Sequence, residues 1–138
     1  MQIGEVAART ELSLRTIRHY EDTGLVIPSA RSQGGFRLYT EADVARLMVI
    51  RRMKPLGFTL DEMRALLDAT DRLDSGEELP PEELPPEERE ELLDRIRGFE
   101  QAAQKRVEDL RTQLARAEEF AATLGERLMR STSAPRRP

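Results

Sequence analysis

The stretch Ser13–Glu21, S-L-R-T-I-R-H-Y-E, holds the side chains best suited to recognising another molecule. Ser13 can cap a helix N-terminus, because a serine hydroxyl accepts a hydrogen bond from a backbone N–H of the first turn. Leu14 and Ile17 lie three residues apart and predict one buried helix face. The remaining faces carry donors of several shapes, which are Arg15, Thr16, Arg18, His19 and Tyr20. Taken alone, this pattern fits either a solvated charged face or a helix that reads DNA bases.

The residues before this stretch favour DNA. A short helix is predicted over 3–9, and only residues 10–12 separate it from Ser13. Two short helices joined by a tight turn, the second rich in arginine, are typical of a helix-turn-helix whose second helix enters the major groove. We therefore interpret 13–21 as a recognition helix.

Composition excludes several other kinds of site. The 138 residues allow one small domain and an extension, and they include no cysteine and a single histidine, His19. Disulfides, thiolate metal sites and most nucleophilic triads therefore lack their parts, and we expect no enzyme activity, no metal and no cofactor. No apolar run reaches membrane-spanning length and no signal-peptide core is present, so we expect a bacterial cytoplasmic protein without membrane contact.

The net charge of −4 is unevenly distributed. Residues 71–91 hold ten acidic and two basic residues, whereas residues 1–70 hold ten basic and nine acidic ones. Local clusters set the potential that a phosphate backbone meets, so the overall acidity does not argue against DNA binding.

The elements after the recognition helix complete a compact domain over 1–70. Leu25–Ile27 and Phe36–Tyr39 read as two short strands around the Gly34-Gly35 turn, which would form a wing. A phosphate-binding glycine loop is the alternative, but it lacks the Lys-Ser/Thr ending. Capping boxes at Thr40 and Thr59 open two further helices, which gives a mainly α domain of four short helices and a hairpin.

The amino-acid composition changes at residues 71–86, where E-E-L-P-P units repeat. Proline removes a backbone donor and restricts the residue before it, so we interpret this stretch as a solvated acidic linker. An acidic interaction segment is the alternative. A paired-carboxylate catalytic site is disfavoured because nothing there buries two carboxyl groups.

Residues 87–130 contain no proline and carry a heptad seam with one stutter near Val107. A helix of roughly 42 residues would be about 60 Å long and could not bury such a stripe alone. We expect a dimerisation coiled coil, the alternative being a helix that folds back on its own domain. Residues 131–138 are predicted to be disordered. The expected interface residues are Ile96, Phe99, Ala103, Val107, Leu110, Leu114, Ala117 and Leu124.

Together these motifs resemble the MerR family of bacterial transcription regulators. The resemblance covers residues 1–70 closely, and the order and spacing of the motifs make it far more specific than a helix-turn-helix alone. It is carried by I-G-E-V-A, S-L-R-T-I-R-H-Y-E, G-G-F-R-L-Y, E-A-D-V-A-R-L and L-G-F-T-L-D-E-M.

The resemblance implies a winged helix-turn-helix homodimer on double-stranded promoter DNA, with RNA polymerase as a partner at the promoter. It also implies that Arg15, Thr16, Arg18 and His19 contact bases and phosphates, because they occupy the positions that do so in the family. It implies backbone contact by Tyr20, wing roles for Arg37 and Tyr39, and a phosphate contact by Lys54. An operator inside an overlong promoter spacer would be bent and untwisted.

Some residues depart from the family pattern. His19 stands where tyrosine or phenylalanine is usual, and Glu11 stands where a glycine commonly follows the threonine. The cysteines of metal-sensing members are absent, so the resemblance assigns no effector. An architectural or recombination accessory protein is an alternative function, and so is an interaction module that uses the coil and the acidic linker.

Overall fold

The structure is a computed structural model that describes residues 1–78 and 84–133. It forms two units, Met1–Phe99 and a second that begins at Glu100. The predicted mainly α fold with a small hairpin and a long C-terminal helix is confirmed. The elements are α1 (Ile3–Thr10), α2 (Leu14–Asp22), β1 (Ala30–Arg31), β2 (Arg37–Leu38), α3 (Glu41–Met53), a 3₁₀ turn (Lys54–Leu56), α4 (Leu60–Glu78) and α5 (Pro86–Ser133).

Helix α2 begins as its sequence predicts, because the Ser13 hydroxyl accepts a hydrogen bond from the Thr16 backbone N–H at 3.0 Å. Its inner face is formed by Ile17 and Tyr20, which are both buried. The expected pairing of Leu14 with Ile17 is wrong, since Leu14 lies in the first turn and is exposed. The face that enters the core is displaced by one turn along the helix.

The turn between α1 and α2 uses a left-handed residue. Glu11 has φ 59° and ψ 24°, a conformation that glycine adopts readily and that costs other residues free energy. The neighbouring Thr10 is buried, and its hydroxyl donates to the Val6 carbonyl at 2.8 Å. Buried Thr10 and left-handed Glu11 together fix the angle at which α2 leaves α1.

The hairpin differs from its prediction. Leu25 and Val26 are not a strand, because their backbone N–H groups donate to the Tyr20 carbonyl at 3.0 and 3.3 Å and their side chains are buried. They close the end of α2 instead. The first strand is β1, inside the predicted loop, and Ala30 pairs with Leu38 of β2 in antiparallel register. The predicted glycine turn is present, with Gly35 at φ 81°.

Both predicted capping boxes form. The Thr40 hydroxyl accepts from the Asp43 N–H while the Asp43 carboxylate accepts from the Thr40 N–H, and Thr59 and Glu62 pair in the same way. They orient α3 and α4 so that both helices supply the core beneath α2. The buried residues of α3 and α4 include Val44, Leu47, Ile50, Met53, Met63 and Leu67.

The predicted linker over 71–86 starts too early. Helix α4 continues to Glu78, because no proline occurs between Leu60 and Glu78. Leu84 is buried with Ala69 and Leu92, and α5 begins at Pro86, where the fixed φ of proline suits a first helical turn. Part of the acidic stretch is thus helix or packed on the domain. The linker residues 79–83 lie outside the described residues.

Helix α5 is slightly longer than predicted, and residues 131–133 are helical rather than disordered. Residues 134–138 lie outside the described residues. Two expected interface residues pack within the first unit: Ile96 lies against the cluster of Leu84 and Leu92, and the Phe99 ring lies 6.1 Å from that of Phe58. This part of the seam packs on its own domain, as in the alternative of a helix that folds back.

The unusual turn residue gives a stability prediction. We expect Glu11→Gly to have a free energy of unfolding about 0.5–1 kcal/mol above that of Glu11→Ala, because both lose the carboxylate but only alanine keeps the left-handed cost. Denaturant unfolding of both variants measures the difference. Ala8, exposed within α1, is the control position: Ala8→Gly should lower stability by about 1 kcal/mol. Equal stability of the two Glu11 variants would contradict the assignment.

Candidate nucleic-acid interface

The outer face of α2 carries the predicted base-reading residues. Arg15, Arg18 and His19 are exposed, since Ile17 and Tyr20 occupy the buried side of the helix. Thr16 is half-buried, and its hydroxyl lies 2.7 Å from that of Ser13. Two arginines and an imidazole on one exposed face can donate hydrogen bonds to acceptors on base edges.

One side of this face meets the wing. Arg18 of α2 and Arg31 and Arg37 of the hairpin line a cleft of about 270 Å³, together with Phe36 and Gln2. Phe36 is 62% exposed at the wing turn. Arg31 and Phe36 lie outside the predicted site, because the predicted first strand at 25–27 precedes the observed one at Ala30–Arg31. Pairing the residues on either side of the Gly34-Gly35 turn would have brought them together.

The other side of the face meets the start of the 3₁₀ turn. His19 and Lys54 line a second cleft of about 180 Å³, whose floor includes Phe58 and Met63. Lys54 is exposed at the first position of that turn. Cationic side chains therefore flank the recognition helix on both sides, an arrangement suited to phosphates on either side of a major groove.

A carboxylate ties the recognition helix to the wing. Glu21 Oε2 lies 2.9 Å from Arg37 Nε, and the Glu21 side chain is only 6% exposed. Its other oxygen, Oε1, is buried and has no hydrogen-bond partner among the described residues. Burial raises the pKa of Glu21, and Arg37 opposes that shift by stabilising the charged form.

The two tyrosines expected at the DNA backbone belong to the buried core. Tyr20 and Tyr39 are 2% and 3% exposed, and burial raises the pKa of Tyr20. The Tyr39 hydroxyl is buried without a hydrogen-bond partner among residues 1–78 and 84–133. The predicted phosphate contact of Tyr39 conflicts with this burial. That of Tyr20 stays a prediction, because Tyr20 lines the cleft that also holds His19 and Lys54.

Arginines on the inner helices hold the end of α2 in place. Arg64 of α4 donates to the Thr23 carbonyl at 2.5 Å, and Arg46 of α3 donates through Nε to the Leu25 carbonyl at 2.6 Å. Cations are favourable at a helix C-terminus, where the carbonyl groups lack intrahelical donors. Through these contacts, α3 and α4 fix the orientation of the exposed face of α2.

Residues 1–78 and 84–133 contain neither a metal-binding cluster nor a membrane-spanning helix. No group of three or more histidine or acidic side chains there could hold a metal ion. None of the described helices combines the length and apolar character needed to cross a membrane.

Comparison with known proteins identifies the family. A family model described as MerR HTH family regulatory protein matches residues 1–70, and one described as MerR, DNA binding matches residues 44–127. The chain belongs to the MerR family. The predicted resemblance is thereby confirmed, and its family motifs coincide with α1, α2, the hairpin, α3 and the start of α4.

Individual relatives are similar to about half of this chain. The chain is 48% identical over 66 residues to the transcriptional activator TipA of Streptomyces coelicolor, covering 48% of this chain and 26% of TipA. It is 45% identical over 67 residues to the regulator CueR of Vibrio cholerae, covering 49% of this chain and 48% of CueR. The matched segment thus spans less than half the length of either relative.

A solved structure matches over nearly the whole chain. MtaN, the N-terminus of the Bacillus subtilis multidrug transporter activator, superposes with a TM-score of 0.53 at 30% identity, covering 93% of this chain and 97% of MtaN. The similarity therefore extends beyond the helix-turn-helix into α5.

The buried tyrosine of the wing gives a prediction that separates core from interface. Tyr39→Phe removes a hydroxyl without a described partner, so we expect the free energy of unfolding to stay unchanged or rise by up to about 1 kcal/mol. DNA affinity should change less than about twofold. Tyr39→Ala is the control and should cost about 3–5 kcal/mol in stability. If a stable Tyr39→Phe variant lost much of its DNA affinity, the Tyr39 hydroxyl would be a DNA contact after all.

Proposed function

We propose that this protein is a sequence-specific transcriptional regulator of the bacterial cytoplasm that binds promoter DNA as a homodimer. The observation that carries the proposal is the exposed face of Arg15, Arg18 and His19, flanked by cationic clefts on both sides. The names of TipA, a transcriptional activator, and CueR, a transcriptional regulator, support it. We propose no catalytic role.

The cationic residues divide into two roles. Arg15 and Arg18 project from α2 and suit bidentate hydrogen bonds to guanine, which are worth about 1–3 kcal/mol of discrimination. Arg37 and Lys54 lie beside the helix and suit phosphates, which set register and orientation but carry no sequence information. Both roles need a rigid α2, which Arg46 and Arg64 provide from the inner helices.

The second unit supports a homodimer. From Ala103 onward the seam of α5 continues, and Val107, Leu110, Leu114 and Leu124 are 39–59% exposed. Monomeric proteins rarely expose a contiguous apolar stripe, and a second copy of the same helix offers a matching one. We propose that this part of the seam, with Ala117, forms the dimer interface.

The dimer sets the form of the operator. Two recognition helices related by a two-fold axis reach half-sites about one helical turn, roughly 34 Å, apart or a multiple of that distance. We propose a pseudo-palindromic operator within the promoter spacer, bent and untwisted so that RNA polymerase can contact both promoter elements. Such bending costs about 1–6 kcal/mol, which several phosphate contacts at the wings can offset.

Base reading and phosphate binding are separable by mutation. On an operator selected from random-sequence DNA, Arg18→Ala should weaken binding about tenfold or more, and it should weaken binding to scrambled DNA much less. Lys54→Ala should weaken both to a similar extent and lower the salt dependence by about one phosphate contact. Titrations of both variants on both DNAs at matched salt decide the assignment. Equal losses for Arg18→Ala on the two DNAs would exclude base reading.

The dimer has its own test. Leu110→Glu places a charge in the middle of the exposed seam, and we expect monomers and the loss of most specific DNA affinity. Thr112→Glu adds the same charge two residues away, outside the seam, and should leave the dimer intact. Light scattering measures the mass of each variant. A full dimer of Leu110→Glu would show that this seam is not the interface.

Deformation of DNA is tested on the saturated complex. If the protein bends its operator, fragments carrying the site at the centre should migrate more slowly than fragments carrying it at an end. Minicircle closure then reports untwisting. Uniform migration and normal twist would favour repression by occupancy alone.

A further inference from the structure

Three arginines from different elements line one cleft beside α2. Arg18 comes from the recognition helix, Arg31 from β1 and Arg37 from β2, and the cleft has a volume of about 270 Å³. A group with several negatively charged oxygens is the natural occupant of such a site. On the proposed DNA-binding face, that group is a backbone phosphate.

A buried carboxylate at this place needs a physical reason. Glu21 has a side chain that is 6% exposed, and burying a charge is costly unless it is paired. The charged groups that act on it are Arg37, Arg31 and Arg18, which stabilise its charge, and Asp22, which opposes it. An acidic group this close to DNA should also repel phosphate. Glu21 is therefore costly for both stability and binding unless it does something specific.

We infer that Glu21 is a positioning residue: its carboxylate holds the Arg37 side chain in the wing cleft, so that one DNA phosphate meets a preformed binding position. The inference deepens the proposed function and rests on it. The contact is an ion pair in which Glu21 Oε2 lies 2.9 Å from Arg37 Nε, and the terminal nitrogens of the guanidinium carry four further N–H donors.

Holding Arg37 in advance lowers the cost of binding. A free arginine loses rotamer entropy when its side chain is fixed on binding, whereas an ordered one has already lost it on folding. Glu21 also links the last turn of α2 to β2, so the distance between the base-reading and phosphate-binding groups is fixed. The wing then places one phosphate in register with the recognition helix.

The positioning role of Glu21 is tested by two uncharged variants, which have the same net charge as each other. Glu21→Gln keeps an oxygen that can accept from Arg37 Nε, whereas Glu21→Met has a similar length and no such acceptor. Both lose the same negative charge, so repulsion of phosphate changes equally in both. We expect Glu21→Gln to bind the operator about tenfold more tightly than Glu21→Met, as for one hydrogen bond to a charged group.

The role of Arg37 is tested in the same titrations. With Arg37→Ala also present, the two Glu21 variants should bind within about twofold of each other, because no side chain remains to be positioned. Arg37→Lys keeps the charge but loses the Nε donor, so it should weaken binding about tenfold while Glu21 is intact. Because Arg37→Lys leaves Glu21 in place, its DNA affinity tests the positioning role even if Glu21→Met does not fold.

The outcomes separate this inference from the proposed function. Failure of the wild-type dimer to bind any operator would refute the function itself. If the wild-type protein binds, equal affinities for Glu21→Gln and Glu21→Met overturn the positioning role. A difference that persists with Arg37→Ala overturns it as well, since the effect would then be a general one on the fold. Wild-type affinity of Arg37→Lys would likewise contradict it.

Discussion

Burial of one face of α2 is the constraint on which the rest of the structure depends. Ile17 and Tyr20 lie three residues apart and enter the core, and each buried side chain of this size contributes about 1.5–3 kcal/mol. A helix that buries this face must expose the opposite one, so Arg15 and Arg18 point to solvent. The core thus selects which side chains can meet a ligand.

Charge is distributed so that an acidic protein can present a basic face. Several acidic residues of the domain are paired on other elements, as Glu41 is with Arg9, Asp71 with Arg46 and Glu11 with Arg51. Beside the wing cleft, the carboxylate of Glu21 is buried and paired with Arg37. The potential met by a phosphate is therefore set by the exposed cations, and the net charge of −4 says little about it.

Features encoded within a few residues were predictable from the sequence. The caps at Ser13, Thr40 and Thr59 form as expected, because each is a hydrogen bond between residues three apart. The motifs also located helix α2 and the second strand, whereas the first strand lies at Ala30–Arg31 and not at 25–27. Side chains whose environment depends on distant residues were not predictable, and Tyr20 and Tyr39 became core residues for that reason.

The Glu21–Arg37 ion pair is the clearest case, since it joins residues sixteen positions apart that no local pattern pairs. The motif R-H-Y-E predicts a helix whether or not its last residue is buried. Only the return of the hairpin against α2 places an arginine over that carboxylate. The wrong boundaries of the first strand hid the cleft from the prediction, because a strand at 25–27 leaves Arg31 in a loop away from the cleft.

The heptad seam of α5 shows a further limit of periodicity. One apolar stripe runs from Leu92 to Leu128, yet Leu92 is buried within the first unit while Leu128 is 65% exposed. The repeat predicts that the stripe needs a partner surface but does not say which one. The first turns of α5 pack beneath the loop that carries Lys54, through Phe99 and Phe58. The stripe is therefore divided, since its first residues are buried by their own domain while its later residues are exposed in the second unit.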